Sequence, residues 1–166
     1  LEFESFKLRN NISQVKDGDE DRQSHIASIA KSSMSRWQPM ELPEDSYPIT
    51  QWLEMGLADD DFIMVAEYAL SRKIFDLSNF YWSPTKKYNI RKRLIIPYFY
   101  NNKIVGYTAR LAAKADDKRT PKYFQQCPTD FVYNLDNQSN YNRQYVIVTE
   151  GVLDAWMVDG VGTLGE

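Results

Sequence analysis

The 166-residue sequence has one cysteine, Cys127, and one histidine, His25. A disulfide within the chain is therefore impossible, and a Cys/His zinc site, which needs about four such ligands, is excluded in practice. Ser-His-Asp or Cys-His catalysis would have to run through His25, which stands in a polar segment without a matching motif. No apolar run approaches the ~18 residues of a membrane span, and the first residues, Leu1-Glu2-Phe3-Glu4, carry no signal-peptide pattern. The chain is nonetheless 43% apolar and 14% aromatic, enough for one ordinary core or two small ones and too much for a disordered tail. The expectation is a soluble, cytoplasmic protein that mixes helices and strands.

The net charge of −3 hides a segregation. Residues 84–123 hold 11 basic side chains against Asp116 and Asp117, a local +9, while residues 1–83 carry −7 and residues 124–166 carry −5. Such a block sets a local field that can hold a polyanion whatever the global sign. Tyr88, Tyr98, Tyr100, Tyr107 and Tyr123 are interleaved with Lys86, Lys87, Arg91, Lys92, Arg93, Lys103, Arg110, Lys114, Lys118, Arg119 and Lys122. Cations neutralise phosphates and aromatic faces stack on unpaired bases, so the mixture suits single-stranded nucleic acid. The competing reading is a solvated strand edge protected by lysines.

Along the chain, residues 16–21 read as an acidic loop, 24–37 as a weak helical face, 38–48 with three prolines as a connector, and 49–57 as a short helix. Asp59-Asp60-Asp61 ahead of an apolar run predicts a capped helix, with Arg72-Lys73 at its other end, in preference to a metal site. Leu94 to Tyr100 and Lys103 to Arg110 flank Asn101-Asn102, the pattern of a β-hairpin, with Pro97 marking an edge or a bulge. With strand alternation, Arg91, Arg93 and Ile95 are expected on one face. Residues 112–122 read as a basic loop. Gln144 to Thr149 has a buried-strand pattern ending on Glu150, Gly151 breaks it, and Val152 to Asp159 can form a helix before a further strand at Gly160–Leu164. That order predicts a parallel β-α-β unit. Glu150 would sit at a strand's carboxyl end, where ligands of open α/β sheets gather, with Asp154 in the first turn of the next helix. Two carboxylates suit a hard cation, but taken alone they fit an ordinary acidic helix start better.

Taken in order, Arg93-Leu94-Ile95-Ile96-Pro97, Gly106 to Arg110, Thr120-Pro121-Lys122-Tyr123, Tyr133-Asn134-Leu135, Val148 to Ala155 and Gly162-Thr163-Leu164-Gly165 resemble bacterial-type (DnaG-like) primases and phage primase-helicases. The resemblance covers roughly residues 59–166, and its last segment resembles the opening of a TOPRIM fold. It implies an α+β core: a small mixed sheet with a basic β-hairpin and flanking helices, followed by the first β-α-β unit of a TOPRIM-like domain. The implied segments are an amino-terminal helical connector (1–58), a polymerase subdomain (59–143) and a truncated TOPRIM start (144–166).

The implied activity is synthesis of short RNA primers on single-stranded DNA by metal-dependent nucleotidyl transfer. Arg93, Arg110 and Lys122 match family positions facing template or nucleotide, and Arg91 and Lys103 join them from the basic block. Glu150 matches the catalytic TOPRIM glutamate, and with Asp154 it would form an incomplete site for Mg²⁺ or Mn²⁺. Tyr123 and Gly151 match structural positions. The implied partners are template, ribonucleoside triphosphates and a replicative helicase in cis or trans. Against the family pattern, the chain lacks the cysteines of a zinc module, ends before a later Asp-x-Asp pair, and has Asn134 where glycine is common. The expectation is thus a fragment, inactive by itself and prone to self-association, from a bacterium or phage. The alternatives are a non-catalytic single-stranded nucleic-acid-binding module, or a TOPRIM nuclease or topoisomerase relative sharing Glu150.

Overall fold

In the computed structural model, residues 37–113, 120–140 and 143–164 are described. The acidic run at 16–21, the helical face at 24–37 except Trp37, His25, and Lys114, Lys118 and Arg119 of the basic block lie outside them. The chain divides into two units, Leu1–Gln38 and Pro39–Glu166; everything below belongs to the second. Among the described residues no helix is long and apolar enough to cross a membrane.

Two strands dominate. β3 (Arg93–Tyr100) and β4 (Lys103–Leu111) pair antiparallel across Asn101 and Asn102, whose φ values of 48° and 61° are the left-handed pair of a tight hairpin turn. They sit within a five-stranded antiparallel sheet of order β1-β2-β3-β4-β5, with β1 Tyr47–Pro48, β2 Tyr81–Trp82 and β5 Tyr123–Gln126. β2 meets β3 at Ile95, so Pro97 stands beyond it, where its missing N–H costs no ladder bond on that side. The bulge falls one residue later, between Tyr98 and Phe99.

Helix α1 (Ile49–Glu54) follows β1 directly, and α2 (Asp60–Ser71) begins as its aspartates predict: Asp59 Oδ1 accepts from the N–H groups of Asp61 and Phe62 at 2.9 and 3.2 Å. Phe62, Val65 and Ala69 form its buried face. At its carboxyl end Lys73 takes the left-handed position (φ 61°), and Lys73 and Ile74 donate back to Leu70 and Ala69. β1 and α1 lie in the second unit, which begins at Pro39.

β6 (Val148–Thr149), α3 (Val152–Met157) and β7 (Val161–Gly162) form the expected parallel β-α-β unit. An antiparallel bridge from Tyr133 to Gly162 extends it, and Trp156 packs edge-on against Phe80 at 5.1 Å. Gln144–Thr149 does not form the buried strand expected of it. Residues 144–148 are exposed, and the strand itself is two residues long.

Candidate functional site

Register decides which side chains share a face of the sheet. Leu94↔Arg110, Ile96↔Thr108, Thr108↔Gln125 and Arg110↔Tyr123 are opposed pairs, so these residues lie on one face. Arg93, Ile95, Tyr107, Ala109 and Phe124 lie on the other, where Ile90, Ile95, Tyr107 and Ala109 form a buried cluster packed by Met40, Leu42, Tyr81 and Phe124. The basic block is thereby divided.

On the first face the sheet borders a cleft of about 710 Å³. Thr108 from β4, Tyr123 and Gln125 from β5, and Cys127 line one side. Glu150, Gly151 and Asp154 from the β6–α3 junction line the other, with Val152 and Leu164. Gly151 is the N-cap of α3, and a Cβ there would come within 3.0 Å of Asp154 Oδ2. Glycine at this position leaves room for that carboxylate beside the strand end. Both acidic side chains are exposed. Among the described residues, no group of three His, Cys, Asp or Glu is placed to hold a metal ion.

The sequence-predicted cations have different situations. Arg110 stands beside a cleft residue: its Cζ lies 4.5 Å from the centroid of the Tyr123 ring, while its Nε donates to Tyr68 Oη of α2 at 2.9 Å. Its Nη1 is buried with no hydrogen-bond partner among the described residues. Lys122 is exposed, with Nζ 5.7 Å from the same ring. Both cations thus lie against Tyr123, which lines the cleft across from Glu150 and Asp154, while neither cation lines the cleft itself.

Arg93 is 1% exposed, and its guanidinium donates to the carbonyls of Ala109 (3.2 Å) and Pro121 (2.9 Å). Burial, with Arg110 nearby as a second cause, lowers its pKa. Arg91 precedes the strand and pairs with Asp59 at 3.0 Å and with Asp61, so the shared face expected for Arg91 and Arg93 is not formed. Lys103 is exposed at the hairpin tip, at the opposite end of β4 from Arg110.

No family model and no curated protein matches the chain. Solved structures do. A DNA primase domain from Pseudomonas aeruginosa is 20% identical, with a TM-score of 0.37, over 69% of this chain and 38% of that one. The catalytic domain of the DnaG primase bound to single-stranded DNA is 18% identical, with a TM-score of 0.39, over 89% and 57%. The DnaG catalytic core is 18% identical at 0.38, over 70% and 46%. The chain spans 38% to 57% of the length of these structures. Residue roles therefore rest on the geometry.

Thr108, Gln125 and Cys127 line the cleft and escaped the sequence pattern. Tyr98, buried beneath the wall, hydrogen-bonds Thr108, whose hydroxyl meets Gln125 Oε1 at 3.3 Å; Gln125 Nε2 in turn lies 3.0 Å from Cys127 Sγ. Burial raises the Tyr98 pKa, against the Thr108 hydrogen bond, which lowers it. Period-two alternation back from Arg110 and onward from Tyr123 points to Thr108 and Gln125. Nothing in the sequence points to Cys127.

Proposed function

We propose that this chain carries a primase-like nucleotidyl-transfer site, which binds a ribonucleoside triphosphate with a divalent cation and single-stranded DNA. The observation that carries the reading is one cleft with Glu150 and Asp154 on one side and Tyr123, backed by Arg110 and Lys122, on the other. Mg²⁺ is held through one or two carboxylates together with substrate phosphates, so this donor pair fits it, and Mn²⁺ shares the chemistry. A bound cation would stabilise charge developing on the transferred phosphate. Arg110 and Lys122 would offset the remaining phosphate charge, and Glu150 would be the carboxylate nearest the chemistry. Residues 59–143 would act as the polymerase subdomain and residues 144–166 as the opening of a TOPRIM unit, with a replicative helicase as a partner of the whole protein.

The test is Mn²⁺ titrated into the chain with a ribonucleoside triphosphate, followed by loss of the free-ion EPR signal. Glu150→Gln should weaken ternary binding by roughly tenfold or more, the scale on which altered metal environments act. Primer synthesis on single-stranded DNA by the protein containing this chain is the second readout, and the same substitution should abolish it. Unchanged metal binding in Glu150→Gln would remove the proposed site. DNA cleavage without synthesis would favour the nuclease or topoisomerase reading.

A further inference from the structure

The second face of the sheet holds an aromatic step that the cleft does not use. Tyr88 is 69% exposed, and its ring lies nearly parallel to Phe124, with centroids 5.2 Å apart and planes at 18°. Phe124 in turn meets Tyr107 at 6.2 Å over the buried cluster. One face of the Tyr88 ring is thus backed by the core, and the residue as a whole stays open to solvent. The backbone presenting it is unusual: Tyr88 and Asn89 are both left-handed, at φ 52° and 57°. A bulky residue rarely adopts that conformation, and such strain gathers at functional positions. The turn is anchored by Asn89 N–H to Lys86 O, by Arg91 N–H to Thr85 O, and by buried Ile90. Lys86 and Lys87, beside it in the chain, are exposed and hold no ion pair among the described residues.

We infer that Tyr88, stacked on Phe124 and flanked by Lys86 and Lys87, is a base-stacking platform for single-stranded DNA on the face of the sheet opposite the cleft. An exposed aromatic plane with adjacent cations matches the two chemistries of a single strand, an unpaired base and a phosphate. A duplex offers no free base face, and an acidic peptide would use the lysines but leave the ring idle. Edge strand β5 joins the two faces, because Tyr123 borders the cleft while the next residue, Phe124, supports the platform. A strand passing over this edge would meet Tyr88 on one side and Tyr123 on the other, with Lys122 beside Tyr123. The inference deepens the single-stranded DNA contact of the proposed function and rests on that reading.

The test is anisotropy of a fluorescein-labelled oligothymidylate with the whole chain, over a salt series. Tyr88→Leu keeps an apolar cover on Phe124 but cannot stack, and should weaken binding about tenfold without changing the salt slope. Tyr88→Phe should bind as the parent does. Lys86→Ala with Lys87→Ala should instead flatten the slope of log K against log salt by about 1.4. An oligonucleotide carrying 5-iodouracil, photo-crosslinked to the unaltered chain, should mark Tyr88, and this readout stands if the leucine variant does not fold. Equal loss of duplex and single-strand affinity in Tyr88→Leu would overturn the platform, as would crosslinks confined to Tyr123. Crosslinks confined to Tyr123 would leave the cleft reading intact. Tyr88-dependent binding in a chain that fails the Mn²⁺–nucleotide test would keep the platform and remove the catalytic reading.

Discussion

Leu94-Ile95-Ile96-Pro97-Tyr98 and Tyr145-Val146-Ile147-Val148 look alike as sequence: short, apolar, rich in β-branched and aromatic residues. In the fold the first run is buried throughout, whereas in the second Tyr145 is 80% and Val148 63% exposed. The difference lies in what surrounds each. β3 pairs with β4 along its whole length, touches β2, and has packed layers on both faces. The parallel pair β6–β7 is two residues long, and α3 covers it from one side through Val152, Leu153 and Ala155. Composition declares that a segment is able to be a strand; burial depends on the layers that meet it.

The sharpest way to break this comparison is to truncate one isoleucine in each run. Ile96→Ala in β3 should cost about 2–5 kcal/mol, the range for large-to-small changes in a packed core. Ile147→Ala should cost less than about 1 kcal/mol, because its side chain is half-exposed and leaves no closed cavity. Urea unfolding of the two variants measures both. Equal losses would mean that the 145–148 run is packed in solution.

Two arginines repeat the contrast with charge. Arg93 in β3 and Arg143 ahead of β6 each donate to two backbone carbonyls, those of Ala109 and Pro121 for the first and those of Val158 and Asp159 for the second. Arg93 is buried, and its loss would leave two acceptors unserved by water; Arg143 is in contact with solvent and also pairs with Asp159 at 3.5 Å. Arg93→Met should therefore destabilise by roughly 2 kcal/mol or more, and Arg143→Met by at most about 1 kcal/mol. Because the Arg93 guanidinium is taken up by backbone, Arg93→Met should also leave the salt slope of single-strand binding unchanged in the folded protein. A slope reduced as by Lys86→Ala would return Arg93 to the nucleic-acid surface.

These cases show how far the sequence was legible. The hairpin followed from two β-rich runs around Asn101-Asn102, the start of α2 from Asp59, and the parallel unit from Gly151 and Gly160, because each signal is local. Where the chain interacts at a distance, the local pattern is silent. Arg91 pairs with Asp59 and Asp61, some 30 residues earlier, so a cation assigned to nucleic acid braces the very cap assigned to helix α2. Alternation counted from Arg91 starts outside the strand, which begins at Arg93, and register rather than charge density sets Arg110 opposite Tyr123, the residue that lines the cleft. The pairing of Glu150 with Asp154 was readable from their spacing. The wall opposite them is half readable, since Tyr123 stands out in the sequence, alternation from Arg110 and Tyr123 leads to Thr108 and Gln125, and nothing local marks Cys127.

Tyr98 gives the smallest and most specific test, because it lies in the well-covered run and carries a titrating group. Its ring stacks on Phe131 at 5.4 Å and meets Tyr133 edge-on, contacts that phenylalanine would keep, while its hydroxyl binds Thr108. Burial is the main cause that raises its pKa, so the folded state favours the neutral phenol more than the unfolded state does. A folded pKa above the unfolded value contributes stability that is fully present below about pH 10 and is lost as pH rises toward the folded value. Tyr107, also raised by burial and then by Tyr88, adds to the same alkaline limit. At pH 7, Tyr98→Phe should cost about 1 kcal/mol, the net value of one hydrogen bond. At pH 11 the unfolded parent ionises Tyr98 and gains from it, whereas the variant has no phenol at this position to ionise. The penalty of the substitution should therefore shrink or reverse in alkali. Urea midpoints of parent and variant at the two pH values decide the matter. A difference that stays constant would mean that Tyr98 titrates alike in both states, and that the run around it is as open to water as Tyr145 to Val148.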